Sequence, residues 1–72
     1  MATGQITNIV EERGLGFIRP DDGGQDVFFH AKGLRGLQWG PDIVRLAVTF
    51  DIAHDPMRDR FHAENIRQRD SK

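Results

Sequence analysis

Arg13-Gly14-Leu15-Gly16-Phe17-Ile18-Arg19-Pro20, Asp21-Asp22-Gly23-Gly24-Gln25 and Asp26-Val27-Phe28-Phe29-His30 are three consecutive segments. Their reading decides the fold. Leu15 to Arg19 is a short strand by its alternation, and Asp26 to His30 is another. Between them, Asp21-Asp22-Gly23-Gly24 is a strong turn. Glycine accepts a positive φ, and aspartate side chains bond nearby backbone. Side chains alternate across a strand. Gly14, Gly16 and Ile18 therefore share one face, and Arg13, Leu15, Phe17 and Arg19 share the other. Glycines on an inner face fit a tightly coiled sheet, where space is short. If Val27 and Phe29 fill the core, Phe28 and His30 stand beside Phe17 on the outside. The opposite assignment, with Phe17 and Phe28 in the core, fits the spacing equally well.

The flanks are also strand-like. Gln5 to Glu11 carries Ile6, Ile9 and Val10 in an irregular register, and Glu11-Glu12-Arg13 is a polar turn. Val44, Leu46, Val48, Phe50 and Ile52 alternate with Arg45, Ala47, Thr49 and Asp51. That period of two predicts one buried and one wet face. His54 to Asp59 reads as a loop. Arg60 to Arg67 is a fifth strand whose parity breaks between Ala63 and Ile66, which predicts a bulge or a strand end there. Residues 31–43 hold three glycines and Pro41. They form the longest irregular stretch and the best candidate for a functional loop, with room for one helical turn at Ala31 to Leu34. Five short strands favour a closed or nearly closed barrel, because closure protects edges. The expected core is Val10, Ile18, Val27, Phe29, Val48, Phe50, Ile52 and Ile66.

The chain has 72 residues, which suits one small domain with a thin core. Residues 1–3 and 68–72 are expected to fray. There is no cysteine, so neither a disulfide framework nor a thiolate zinc site is available. Apolar residues are 38% and charged residues 29%, a globular composition. No apolar run reaches the ~20 residues of a membrane span, and no signal-peptide core follows Met1. A cytoplasmic protein is expected. The net charge of −1 lacks the excess of a duplex-coating protein, but permits a local basic face.

Exposed rings among cations suit single-stranded nucleic acid. Bases stack on aromatic faces at about 1–3 kcal/mol each, and cations meet phosphates. Phe17, Phe28 and His30, bordered by Arg13, Arg19 and Lys32, supply both ingredients if the outward parity holds.

The same residues resemble the bacterial cold shock proteins. Arg13-Gly14-Leu15-Gly16-Phe17-Ile18 is similar to the first RNA-binding motif of that family, K-G-F-G-F-I. Val27-Phe28-Phe29-His30 is similar to the second, V-F-V-H. Weaker likeness continues through Val48-Thr49-Phe50-Asp51-Ile52 and Ala63-Glu64-Asn65-Ile66. The resemblance implies a five-stranded antiparallel Greek-key barrel of the oligonucleotide-binding type over residues 1–72. It implies single-stranded RNA or DNA as partner, with a role as RNA chaperone or regulator of transcription or translation. By position it makes Phe17, Phe28 and His30 stacking residues and Arg13 the phosphate-facing cation. Asp26 falls near the base edges, and Leu15, Arg19 and Lys32 complete the set. Trp39 falls where many members carry an aromatic in the long loop. It is either a further platform or a ring folded onto the barrel end. Thr7-Asn8-Ile9-Val10 stands in place of the usual K-W-F-N, Leu15 in place of an aromatic, and Ala31 where a further aromatic often follows. Weaker or more selective binding than that of a typical member is expected.

Other readings are poorer. Arg13-Gly14-Leu15-Gly16-Phe17 also looks like the carboxylate-binding loop of PDZ domains, but that mode needs a helix lining the groove. The dinucleotide fingerprint lacks its third glycine and its helix. His30, His54 and His62 lack metal spacing, and nothing pairs a nucleophile with a base. No enzyme, cofactor, metal, membrane or small-molecule substrate is expected. Arg58 and Arg60 are possible phosphate contacts but read more naturally as solvated loop charges. Protein association on a retained barrel is the main alternative. The oligomeric state is open between a monomer and a strand-exchanged dimer.

Overall fold

The computed structural model describes residues 2–69. Five strands run β1 Ala2–Val10, β2 Leu15–Pro20, β3 Val27–His30, β4 Ala47–Asp55 and β5 Arg60–Gln68. They close into a barrel in the order β1-β2-β3-β5-β4, with β4 pairing back onto β1. All pairs are antiparallel except β3 with β5, which is parallel. The expected barrel is present, with that one departure from all-antiparallel pairing. Ala2, Thr3 and Gln68, placed among the fraying ends by the sequence, pair within strands. Arg69 donates its backbone N–H to Ala47 O at 2.8 Å. Met1 and residues 70–72, the rest of those ends, lie outside the described residues.

The hairpin of β2 and β3 follows its turn chemistry. Gly23 takes φ 83°, and Gly24 donates its N–H to Asp22 Oδ1 at 2.9 Å. Gly16 is buried, and a Cβ there would lie 2.5 Å from Phe29 Cε1 and Cζ. Gly14 has a different reason. It caps the 3-10 turn Glu11–Arg13 at φ 66°, and a Cβ there would have 3.8 Å to its nearest neighbour. Its backbone angle, not crowding, requires glycine. Gly16→Ala is therefore expected to overpack the core by about 1–3 kcal/mol. At about 4–8 °C per kcal/mol, thermal unfolding by circular dichroism would show a clear drop in midpoint.

Two bulges set what is inside. β1 slips register against β2 between Ile6 and Asn8. One extra residue turns every later side chain over. Ile6 is sealed, Ile9 packs on the core, and Val10, expected in the core, is only half-buried. The second bulge lies in β5, where the parity break predicts it. Thr49 faces Arg67 while Asp51 faces Glu64, so Asn65 is the extra residue at φ 52°. Asparagine tolerates this left-handed conformation, and its Nδ2 donates to Asp51 Oδ2 at 3.1 Å.

The buried set is Ile6, Ile18, Val27, Phe29, Ile43, Val48, Phe50, Ala63 and Ile66. Ile52 is a correction: it stays 52% exposed despite correct parity. Ala2 pairs with Phe50, and among the described residues Ile52 has no partner on β1. The regular strand also starts later than the alternation suggests. Arg45 sits at φ 74°, bonded through its N–H to Ile6 O at 2.6 Å, and β4 begins at Ala47. At its other end β4 reaches Asp55, leaving the turn to residues 56–59.

Residues 31–43 carry 3-10 turns at Ala31–Gly33 and Pro41–Ile43. Their apolar residues close one end of the barrel. Ile43 is buried, and Leu34, Leu37 and Trp39 pack on the core. The stretch read as a free functional loop is thus in large part a plug.

Candidate nucleic-acid interface

The parity of β2 and β3 is decided by burial. Gly16, Ile18, Val27 and Phe29 point inward, and Phe29 is fully sealed. Phe17 and Phe28 are half-buried on the outer surface, and His30 is exposed. Phe17 pairs directly with Phe28 across the strands, and Leu15 with His30. Phe17 and Phe28 have ring centroids 6.3 Å apart at 61°. Phe28 and His30 follow at 5.2 Å and 80°. These edge-on contacts hold the rings in one strip while leaving part of each in water.

Of the residues singled out by sequence, Leu15, Phe17, Phe28 and His30 come together. Arg13 lies exposed in the 3-10 turn before β2, and Lys32 exposed in the turn after β3. They flank the strip at one end. Arg19 and Asp26 sit toward the other end, 3.8 Å apart as an ion pair. Both are well exposed, so the pair contributes little and both partners are available to a ligand. Trp39 does not join the strip. Its ring meets the core Phe29 edge-on at 6.2 Å and 74°, and its Nε1–H donates to Glu11 O at 3.1 Å. Of its two readings, the geometry favours the ring folded onto the barrel. Arg58 lies in the tip of the β4–β5 hairpin and Arg60 at the start of β5, both exposed.

Two members of this face escape sequence reasoning. His62 lies beside Phe28 in the parallel β3–β5 pair, so the strip extends onto β5. Asn8 pairs with Phe17 across β1 and β2 and is exposed. His62 gives no local signal, because its neighbour on β3 is known only once the barrel closes. Asn8 was visible only as a missing ring.

Residues 2–69 match the model of the "'Cold-shock' DNA-binding domain". The chain belongs to the cold shock domain family. Cold shock protein CspA of Rhizobium meliloti is 38% identical over 72 residues, covering 93% of this chain and 97% of that protein. Cold shock protein ScoF of Streptomyces coelicolor is 44% identical over 71 residues, covering 92% of this chain and 96% of that protein. Glycine-rich protein 2 of Nicotiana sylvestris matches over 34 residues at 47% identity, 16% of its own length. Cold shock domains form a nucleic-acid-binding family and not a family of enzymes. Among the described residues no helix is long and apolar enough to cross a membrane, and no cluster of metal-ligating side chains occurs. Among the described residues only 3-10 turns accompany the strands, so the PDZ-like reading has no helix there to form its groove.

Proposed function

We propose that this cold shock domain binds single-stranded RNA or DNA by stacking bases on Phe17, Phe28 and His30. Arg13, Arg19 and Lys32 draw in the phosphates. The protein then acts as an RNA chaperone or as a regulator of transcription or translation, by keeping strands unpaired. One observation carries the reading: rings that sit outside a well-filled core, in register, on one face of the sheet. Stacking is sequence-tolerant because every base has a π-face.

The platform is small. Asn8 occupies the place opposite Phe17 where the family motif carries tryptophan, and each absent ring forgoes about 1–3 kcal/mol. Binding of short oligothymidine, followed by anisotropy of a labelled strand, is expected to be weaker than submicromolar at physiological salt. Asn8→Trp is expected to tighten it by about five- to 150-fold, since ~1.4 kcal/mol is tenfold. Submicromolar affinity in the unmodified protein, or no response to the added ring, counts against this account.

A second reading is protein association through the β4–β5 hairpin. Ile52, Met57 and Phe61 are 52%, 92% and 62% exposed, a group of apolar side chains outside the core. That reading predicts that the rings of β2 and β3 are dispensable for binding.

A further inference from the structure

The ring strip ends at a cleft. β3 and β5 run parallel, with Phe28 beside His62 and Phe29 beside Ala63. His30 and Glu64, the next residue on each strand, both face what lies beyond that pairing. There the surface opens into a cleft of about 450 Å³ between β5 and the 3-10 turn Ala31–Gly33. Its lining includes His30, Lys32, Arg35, His62, Glu64 and Asn65.

Backbone bonds fix one wall. Arg35 donates its N–H to Ile66 O at 2.7 Å, and Leu34 bridges to Ile66. Gly33 lies so close to β5 that a Cβ would come within 3.3 Å of Ala63 O. Lys32 and Arg35 are thereby held beside the cleft, both exposed, with no ion pair to either among the described residues. On the opposite wall the Glu64 carboxylate lies 3.5 Å from His62 Nε2. The cleft therefore offers two exposed cations, two imidazole rings and one carboxylate beside the second ring. Its volume lies within the usual range for a small-ligand site, about 300–1,000 Å³.

The geometry points to this cleft as a subsite for the nucleotide adjoining the one stacked on His30. Lys32 and Arg35 hold its phosphate, and the His62 ring flanks its base. This rests on the single-strand reading above and adds the direction of the strand: across β3 onto β5, not toward Trp39.

The test compares labelled oligothymidines of four and seven nucleotides on the unmodified protein, on Arg35→Ala and on Phe17→Ala/Phe28→Ala. The substituted arginine is exposed, so its removal leaves the core intact. Arg35→Ala is expected to lose about fivefold on the heptamer and less than twofold on the tetramer. Its salt dependence on the heptamer should flatten by about 0.7, one phosphate contact on a single strand. Amide shifts of His62 and Asn65 should move with the heptamer and stay still with the tetramer. Equal loss on both lengths, or none on either, overturns the subsite while ring-dependent binding leaves the stacking reading standing. Binding of neither length by the unmodified protein overturns the stacking reading, and the subsite with it.

Discussion

Phe17→Ala/Phe28→Ala is expected to abolish most binding of single-stranded oligonucleotides while the barrel remains folded. Each ring contributes about 1–3 kcal/mol of stacking, so losing both costs roughly 2–6 kcal/mol. That is a loss of about 30-fold at the least and up to about 10⁴-fold. Both rings lie outside the sealed core of Ile6, Ile18, Phe29, Val48, Phe50 and Ile66, so the truncations open no interior cavity. They touch each other at 6.3 Å, which makes their effects non-additive and the double variant the informative one. Anisotropy at two salt concentrations separates stacking from phosphate attraction. A stacking platform loses affinity with an unchanged salt slope, because no cation has been removed. Undiminished binding in the double variant would favour protein association or diffuse charge as the main business of this surface.

Phe29→Ala should do the reverse, destroying the fold through a residue one position along the same strand. Phe29 is fully buried, meets Trp39 edge-on, and fills the space that Gly16 leaves. Truncating such a ring costs about 3–5 kcal/mol. A domain of 72 residues has only roughly 4–11 kcal/mol in total, at ~0.05–0.15 kcal/mol per residue. The variant is expected to be largely unfolded or to melt far below the unmodified protein. Trp39 is the sole tryptophan and rests on Phe29, so its emission during urea titration reports the loss directly. A midpoint within a few tenths of a molar of the unmodified protein would show that this ring is not the keystone of the interior. The contrast between Phe28 and Phe29 is a direct check on which face of β3 is which.

Much of this was legible in the chain. The Asp-Asp-Gly-Gly turn, the alternation in β2, β3 and β4, and the break near Asn65 are local signals. Each depends on residues a few positions apart, and each appears where it was read, except that the β4 alternation holds only from Ala47 to Phe50. The motif rings were legible as candidates, although spacing alone left both parities open. The failures share one cause. The bulge in β1 packs Ile9 against the core and leaves Val10 half-buried; Ile52, of matching parity in β4, stays in water. Residues 31–43 fold over the barrel end, burying Ile43 and packing Trp39 against the core, the second of the two readings of that ring.

The sequence by itself determined that five strands form, where the β2–β3 hairpin turns, and that rings and cations share one strand pair. Those features follow from side-chain alternation and from the φ angles that glycine permits, both properties of short segments. Only the tertiary structure decided which phenylalanines face water, that His62 extends the strip, and that Lys32 and Arg35 overlook a cleft. Closing a barrel brings β3 against β5, residues far apart in the chain, and no period-two pattern carries information about a neighbour that distant.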